Sequence, residues 1–227
     1  MGDQNVLSLI QRFVEGASTS DVKMFGVEVG IVTNVKDPDK LGRVKVCFPR
    51  LKGRPESDWV RVVQPAAGAG RGFYWLPHVE DEVLIAFERG EANRPHVVGS
   101  LWNGKDKPMK NAYQDENTTV MLQTRSGHQL ILDDKKGDEK IVIADKSGNR
   151  SLTWDVKNKK FLIECKEGDV EIHAEKKIVL ECEDLEIKTT KTCKLDIATT
   201  FDLNVGDACT LEVKKNLKCK AQTIYLN

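Results

Sequence analysis

The feature that most constrains the fold is a repeat of apolar residues that begins at residue 170. Apolar residues recur at equivalent positions of successive repeats and so form three columns, in which one member follows the last after eight residues. All three columns contain one seven-residue step, between the second and third repeats, and the first two columns contain another at their last step. The first column runs Val170, Ile178, Leu185, Cys193, Phe201, Cys209, Leu217 and Ile224. The second runs Ile172, Leu180, Ile187, Leu195, Leu203, Leu211, Cys219 and Leu226, and the third runs Ala174, Cys182, Thr189, Ile197, Val205, Val213 and Ala221. Apolar and polar residues alternate, so each repeat is predicted to be a five-residue strand with one apolar face, followed by a short turn.

Such short strands cannot fold back to cover their own apolar face, and repeat units of this kind bury a core through their neighbours. A lone chain would leave the edges of these strands unpaired and much of the apolar face in water, which disfavours a single-chain arrangement. Single-chain solenoids use other periods. We therefore predict that three chains wind around a common axis as an intertwined triple-stranded β-helix. Its predicted core consists of Val170, Ile172, Ile178, Leu180, Leu185, Ile187, Cys193, Leu195, Ile197, Phe201, Leu203, Val205, Cys209, Leu211, Val213, Leu217 and Cys219.

The segment before the repeat has a different pattern, in which short β-runs alternate with turn residues. The runs are Val27–Val35, Arg43–Phe48, Trp59–Val63, Glu82–Phe87 and Pro95–Leu101. Five short strands within about 80 residues are typical of a small closed barrel of the OB type. The predicted fold is thus all-β, with an N-terminal helix and linker arm at 1–24, an OB barrel at 25–108 and the trimeric β-helix at 109–227.

Two segments flank the barrel. Before it, Leu9, Ile10 and Phe13 belong to an apolar helical face, so residues 1–24 contain a short amphipathic helix that either docks elsewhere or folds back on the barrel. After it, paired apolar residues at alternate positions begin the repeat irregularly. These pairs are Val120 and Leu122, Leu130 and Leu132, Ile141 and Ile143, Leu152 and Trp154, and Phe161 and Ile163.

Composition and sequence patterns argue against several functions. The 35 Lys and Arg residues equal the 35 Asp and Glu residues, whereas general nucleic-acid binders carry a basic excess. No apolar stretch reaches the roughly 20 residues that cross a bilayer, and no signal peptide is visible, so we expect synthesis in the cytoplasm. The four histidines show no metal-binding or catalytic spacing, which argues against an enzyme and against a cofactor.

Five cysteines occupy inward positions: Cys165, Cys182, Cys193, Cys209 and Cys219. In a trimer each would lie near two copies of itself. They would then form either three-thiolate metal sites or small buried apolar side chains that fill a narrow core, and we favour the second interpretation.

The barrel segment resembles a known family. Gly30–Pro38, Gly42–Val46 and Phe48–Pro49 resemble the OB domain of VgrG-like and phage baseplate assembly protein V spike proteins. So do Trp59–Val62, Ala67–Gly68, Gly70–Gly72, Pro77–Val83, Phe87 and Arg94–Leu101. The stretch from Ser126 to Ile143 is similar to the join between barrel and β-helix in that family.

The resemblance implies a homotrimeric central spike of a contractile injection system, which contacts the target membrane only on firing. The family's large hub domains are missing, so we expect a separate hub protein that docks through Leu9, Ile10 and Phe13. The family's lysozyme-like insertion is also missing, so we expect no enzymatic activity. The His-x-His motif of self-tipped spikes is also missing. A separate PAAR-type tip protein is therefore expected at Ile224, Tyr225, Leu226 and Asn227, with effector cargo as a further partner.

Two alternatives remain. A trimeric adhesin or receptor-binding fibre explains the repeat equally well but leaves the barrel unexplained. An OB-fold protein that binds single-stranded nucleic acid has suitable aromatic residues in Trp59, Phe73, Tyr74, Trp75 and Trp102. The balanced charge argues against this second alternative.

Overall fold

The computed structural model describes residues 23–224. The predictions for Leu9, Ile10 and Phe13, and those for Tyr225, Leu226 and Asn227, lie outside the described residues. The described chain is all-β, as predicted, and divides into two compact units between Val170 and Glu171. As far as the structure describes the chain, it contains no helix with the length and apolar character needed to span a membrane.

Twelve strands and one turn of 3₁₀ helix, at Glu88–Gly90, make up the regular structure of residues 23–224. The strands of the first part are β1 Val27–Asn34, β2 Lys45–Cys47, β3 Arg61–Val62, β4 Ala67–Gly68, β5 Arg71–Gly72, β6 Glu82–Phe87 and β7 Pro95–Ser100. Those of the second part are β8 Thr119–Gln123, β9 Gln129–Asp133, β10 Lys140–Ala144, β11 Arg150–Asp155 and β12 Lys160–Cys165.

Five strands form the barrel in the order β2-β1-β6-β7-β3, and each of them lies within one of the five predicted runs. The pairs are antiparallel except β3 and β7, which are parallel. A bridge between Val44 and Val60 joins the two edges of this sheet. The N–H of Val44 donates to the carbonyl of Val60 at 3.0 Å, and the N–H of Val60 donates back at 2.7 Å. The sheet therefore closes on itself in the manner of an OB barrel.

The barrel core follows from strict alternation along β6, where Val83, Ile85 and Phe87 are buried and the residues between them are not. The other buried members of this core are Val32, Val44, Val46, Phe48, Val60 and Val97. Gly30 of β1 marks a close approach, because a Cβ at this position would lie 3.2 Å from Cγ1 of Ile85 and 3.3 Å from Cβ of Val46. The strands thus pack so closely at Gly30 that a larger residue would force its neighbours to shift.

The connection between β1 and β2 is held by Asp37. Its carboxylate accepts hydrogen bonds from the Arg43 side chain, at 2.6 Å and 3.0 Å, and from the backbone N–H groups of Asp39, Leu41 and Arg43. The Arg43 guanidinium is the main reason that the pKa of Asp37 lies well below its usual range. These contacts order the turn that sets the register of β2 against β1.

The strands β8 to β12 form a separate antiparallel sheet in which each strand pairs with the next along the chain. Aspartates fix two of its turns. Asp145 accepts hydrogen bonds from the Ser147 hydroxyl at 2.8 Å and 2.9 Å, and Asp155 accepts one from the Asn158 side chain at 2.8 Å. These side-chain hydrogen bonds lower the pKa of both carboxyl groups.

Candidate assembly interface

The sheet β8–β12 carries two unbroken apolar rows on one face. The first row joins Val120, Leu132, Ile141, Trp154 and Phe161 through direct cross-strand pairs. The second row joins Leu122, Leu130, Ile143, Leu152 and Ile163 in the same way. All five members of the first row are exposed, as are three members of the second. This face is therefore a large apolar surface of the kind that marks an interaction site.

The apolar columns of the second unit are also exposed. Every residue from 171 to 224 is exposed, and the large apolar side chains of the columns range from 43% exposure at Val213 to 73% at Leu180. A monomeric protein rarely leaves such a long apolar surface in water. The described part of a single chain thus supplies nothing that buries the predicted core residues.

The backbone of this unit bends at regular intervals. Bends occur at 175–176, 183, 190–191, 198–199, 206–207, 214–215 and 222. The starting positions are eight residues apart, except for one seven-residue step between 183 and 190. This step coincides with the seven-residue step of the apolar columns, so the turns fall where the sequence pattern predicts them. Between the bends, residues 171–224 contain no strand or helix and form no strand pairs within the single chain.

The cysteines are all free thiols. Cys47 and Cys165 are half-buried, and Cys182, Cys193, Cys209 and Cys219 are exposed. Among residues 23–224 of the single chain, no three His, Cys, Asp or Glu side chains are grouped to hold a metal ion. Burial raises the pKa of the Cys47 thiol, which favours its unreactive form.

The barrel contributes an aromatic hairpin. Strands β4 and β5 pair as a short hairpin in a glycine-rich stretch, and after them the rings of Phe73 and Trp75 stack with their centroids 6.2 Å apart. The Gln64 side chain holds the Trp75 backbone through hydrogen bonds of 3.1 Å and 3.4 Å. An open cleft of about 700 Å³ lies between this aromatic segment and the turn formed by Thr124, Arg125 and Ser126.

The predicted trimer-core residues Val170 to Cys219 all lie in the described chain, and their role stays a prediction. Ile224 is exposed, at 55%. Sequence reasoning missed the two apolar rows of β8–β12 and the stacked rings of Phe73 and Trp75. The pairs of apolar residues were visible in the sequence, but their alignment into rows depends on cross-strand register.

Comparisons with known proteins agree with the closed barrel. Residues 28–102 match the type VI secretion system/phage-baseplate injector OB domain. The chain is 31% identical over 114 residues to the type VI secretion system spike protein VgrG3 of Vibrio cholerae, which covers 46% of this chain and 11% of that protein. It is 28% identical over 117 residues to the spike protein VgrG1a of Pseudomonas aeruginosa, covering 46% of this chain and 18% of that protein.

A third relative is the actin cross-linking toxin VgrG1 of Vibrio cholerae, at 31% identity over 113 residues, 46% of this chain and 10% of the toxin. The matched segments span less than a fifth of the length of these three relatives. The barrel thus matches an injector OB domain. Through it the chain is similar to VgrG-like and phage baseplate spike proteins, and the family resemblance noted in the sequence is confirmed.

Proposed function

We propose that this chain is a structural, non-enzymatic spike subunit at the baseplate centre of a contractile injection system, and that three copies form the working unit. One observation carries the proposal. An injector OB domain is followed, in the same chain, by an apolar sheet face and then by 54 described residues, 171–224, that are all exposed in the single chain. A trimer supplies the burial that these surfaces lack.

The charge distribution supports this arrangement. The positions between the apolar columns are mostly charged or polar, and several form ion pairs along the strand, such as Glu186 with Lys188 and Lys194 with Asp196. A strand with an apolar and a charged face suits a dry core surrounded by water. Close packing of three copies around this core would make the needle stiff, and stiffness is the property that a puncturing device requires.

The finer parts of the proposal concern partners and location. The barrel end joins a separate hub protein through Leu9, Ile10 and Phe13, and the other end accepts a PAAR-type tip protein at residues 224–227. Effector cargo travels with the spike, which meets the target membrane only when the sheath contracts. The chain is made in the cytoplasm and then built into a phage tail-like, tailocin or type VI-like particle. Its spike relatives support the lack of enzymatic activity.

A pair of matched variants tests the trimer. Leu211→Asp places a carboxylate in an apolar column, and a trimer would bury three copies of it without a partner, which should prevent assembly. Thr210→Asp places the same charge one residue earlier, at an outward position, and should leave assembly intact. A trimeric Leu211→Asp variant would contradict the proposed core.

Tagged wild-type chain should then be found in isolated contractile particles that contain sheath and tube. Its recovery only on a cell surface, free of sheath, would instead indicate a trimeric fibre. Ile224→Asp should leave the trimer intact and weaken binding of the tip protein. Unchanged binding of the tip protein would rule out this docking role.

A further inference from the structure

The outward charges of the repeat change their order from one repeat to the next. Two outward positions lie between the three apolar columns of each repeat. In one repeat they hold Glu186 and then Lys188, and in the following repeat they hold Lys194 and then Asp196. Both pairs form ion pairs along the strand, at 2.8 Å and 2.7 Å, and all four side chains are largely in water.

The alternation extends along both outward columns. The first column runs Glu171, Val179, Glu186, Lys194, Asp202, Thr210 and Lys218, and the second runs His173, Glu181, Lys188, Asp196, Asn204, Glu212 and Lys220. Wherever two successive members of a column are both charged, their signs are opposite. The successive pairs are Glu186 and Lys194, Lys194 and Asp202, Glu181 and Lys188, Lys188 and Asp196, and Glu212 and Lys220, with His173 and Glu181 as a sixth when the imidazole is protonated.

Successive repeats become neighbours when three chains wind around one threefold axis. Each chain moves to the next face of the needle with every repeat, and equivalent repeats of the three chains lie at equal height on different faces. The strand beside a given repeat on one face is therefore the preceding or following repeat of another chain. Successive members of an outward column then face each other across the strand pair.

The signs favour this offset over two alternatives. Stacking of equivalent repeats would place every charge against its own copy. An offset of two repeats would place Glu186 against Asp202 and Glu181 against Asp196. Opposite charges that face each other across strands are stabilising and like charges are destabilising. We propose that the alternating outward charges set a one-repeat stagger between neighbouring chains, in which each repeat of one chain pairs with the preceding or following repeat of the next chain. This inference rests on the proposed trimer.

Charge swaps within one strand test the stagger without changing composition. The first swap combines Glu186→Lys with Lys188→Glu. The second combines Lys194→Asp with Asp196→Lys. Each swap keeps the ion pair along its own strand and the net charge of the chain. The third variant carries both swaps. The thermal unfolding midpoint of each full-length variant is measured at low salt, together with its native mass.

The stagger predicts a specific order of midpoints. Four facing pairs are affected by the swaps, and in the wild type all four join opposite charges: Glu181 with Lys188, Glu186 with Lys194, Lys188 with Asp196, and Lys194 with Asp202. Each single swap leaves one of these pairs with opposite charges, and the double swap leaves two. Each single swap should therefore lower the midpoint, and the double swap should unfold at a higher temperature than either single swap. The differences should shrink at about 1 M salt, where the screening length falls to about 3 Å.

Two failures are distinguishable. If the wild type is a trimer and the effects of the two swaps simply add, the two repeats do not face each other, and the stagger is wrong while the spike proposal stands. Additive effects are expected for stacked equivalent repeats and for a single-chain coil with three strands per turn. If the wild type is a monomer, the proposed spike itself fails, whatever the swaps do.

Discussion

Truncation of Leu203 measures how far the apolar columns are buried in the assembled protein. The side chain is 63% exposed in the single chain, so in a monomer Leu203→Ala should change the free energy of unfolding by no more than about 0.5 kcal/mol. If two other chains bury it, the change should cost about 2–5 kcal/mol per chain. Three copies then amount to about 6–15 kcal/mol per trimer. Per chain, the destabilisation expected for the buried case is thus at least about four times that expected for a monomer.

Chemical denaturation of the full-length protein at several protein concentrations provides the measurement, because unfolding of a trimer depends on concentration. Asn204→Ala is the matched control, since Asn204 is the outward neighbour on the same strand. We expect this control to stay within about 0.5 kcal/mol of the wild type. Equal midpoints for Leu203→Ala and Asn204→Ala would refute the burial of the columns.

Three further predictions concern the barrel and the thiols. The pKa of Asp37 is lowered in the folded state, so the Asp37 carboxylate stabilises the fold above about pH 4, and this effect is lost as the pH falls through the folded-state pKa. The difference in unfolding free energy between the wild type and Asp37→Asn should therefore shrink when denaturation is repeated towards about pH 2. A constant difference would contradict this role. Gly30→Val should lower the stability of the barrel by about 1–3 kcal/mol, whereas Gly99→Val, with no atom within 4 Å of its Cβ, should have little effect; equal thermal midpoints would argue against the close approach at Gly30. Cys209 is exposed in the single chain, yet in the trimer it should react with a thiol reagent only after denaturation, and fast labelling of the native protein would show that its column is open.

The barrel was predictable because its signals are local. Alternation along β6 and turn residues such as Asp37 lie within a few positions of the structure that they determine. The pairing of Val44 with Val60, which closes the barrel, joins residues 16 positions apart and has no local signal. The hairpin β4–β5 has no strand signal in the sequence either, because its two-residue strands are rich in glycine.

The apolar pairs from Val120 to Ile163 show a different limit. The sequence analysis treated them as an irregular start of the repeat, whereas the structure folds them as an antiparallel sheet. Turns of varying length separate these strands, and their register is set by cross-strand pairing rather than by a constant period. By contrast, the turns of the second unit could be located from the sequence, since its period is nearly constant.

The central claim is most directly tested by the native mass of the full-length protein, measured by light scattering in buffer and again in moderate denaturant. The spike proposal predicts three times the chain mass of 25.5 kDa, and it predicts that this mass persists in moderate denaturant. A soluble, folded 25.5 kDa monomer would contradict it, because the apolar columns and the apolar sheet face would then remain in water.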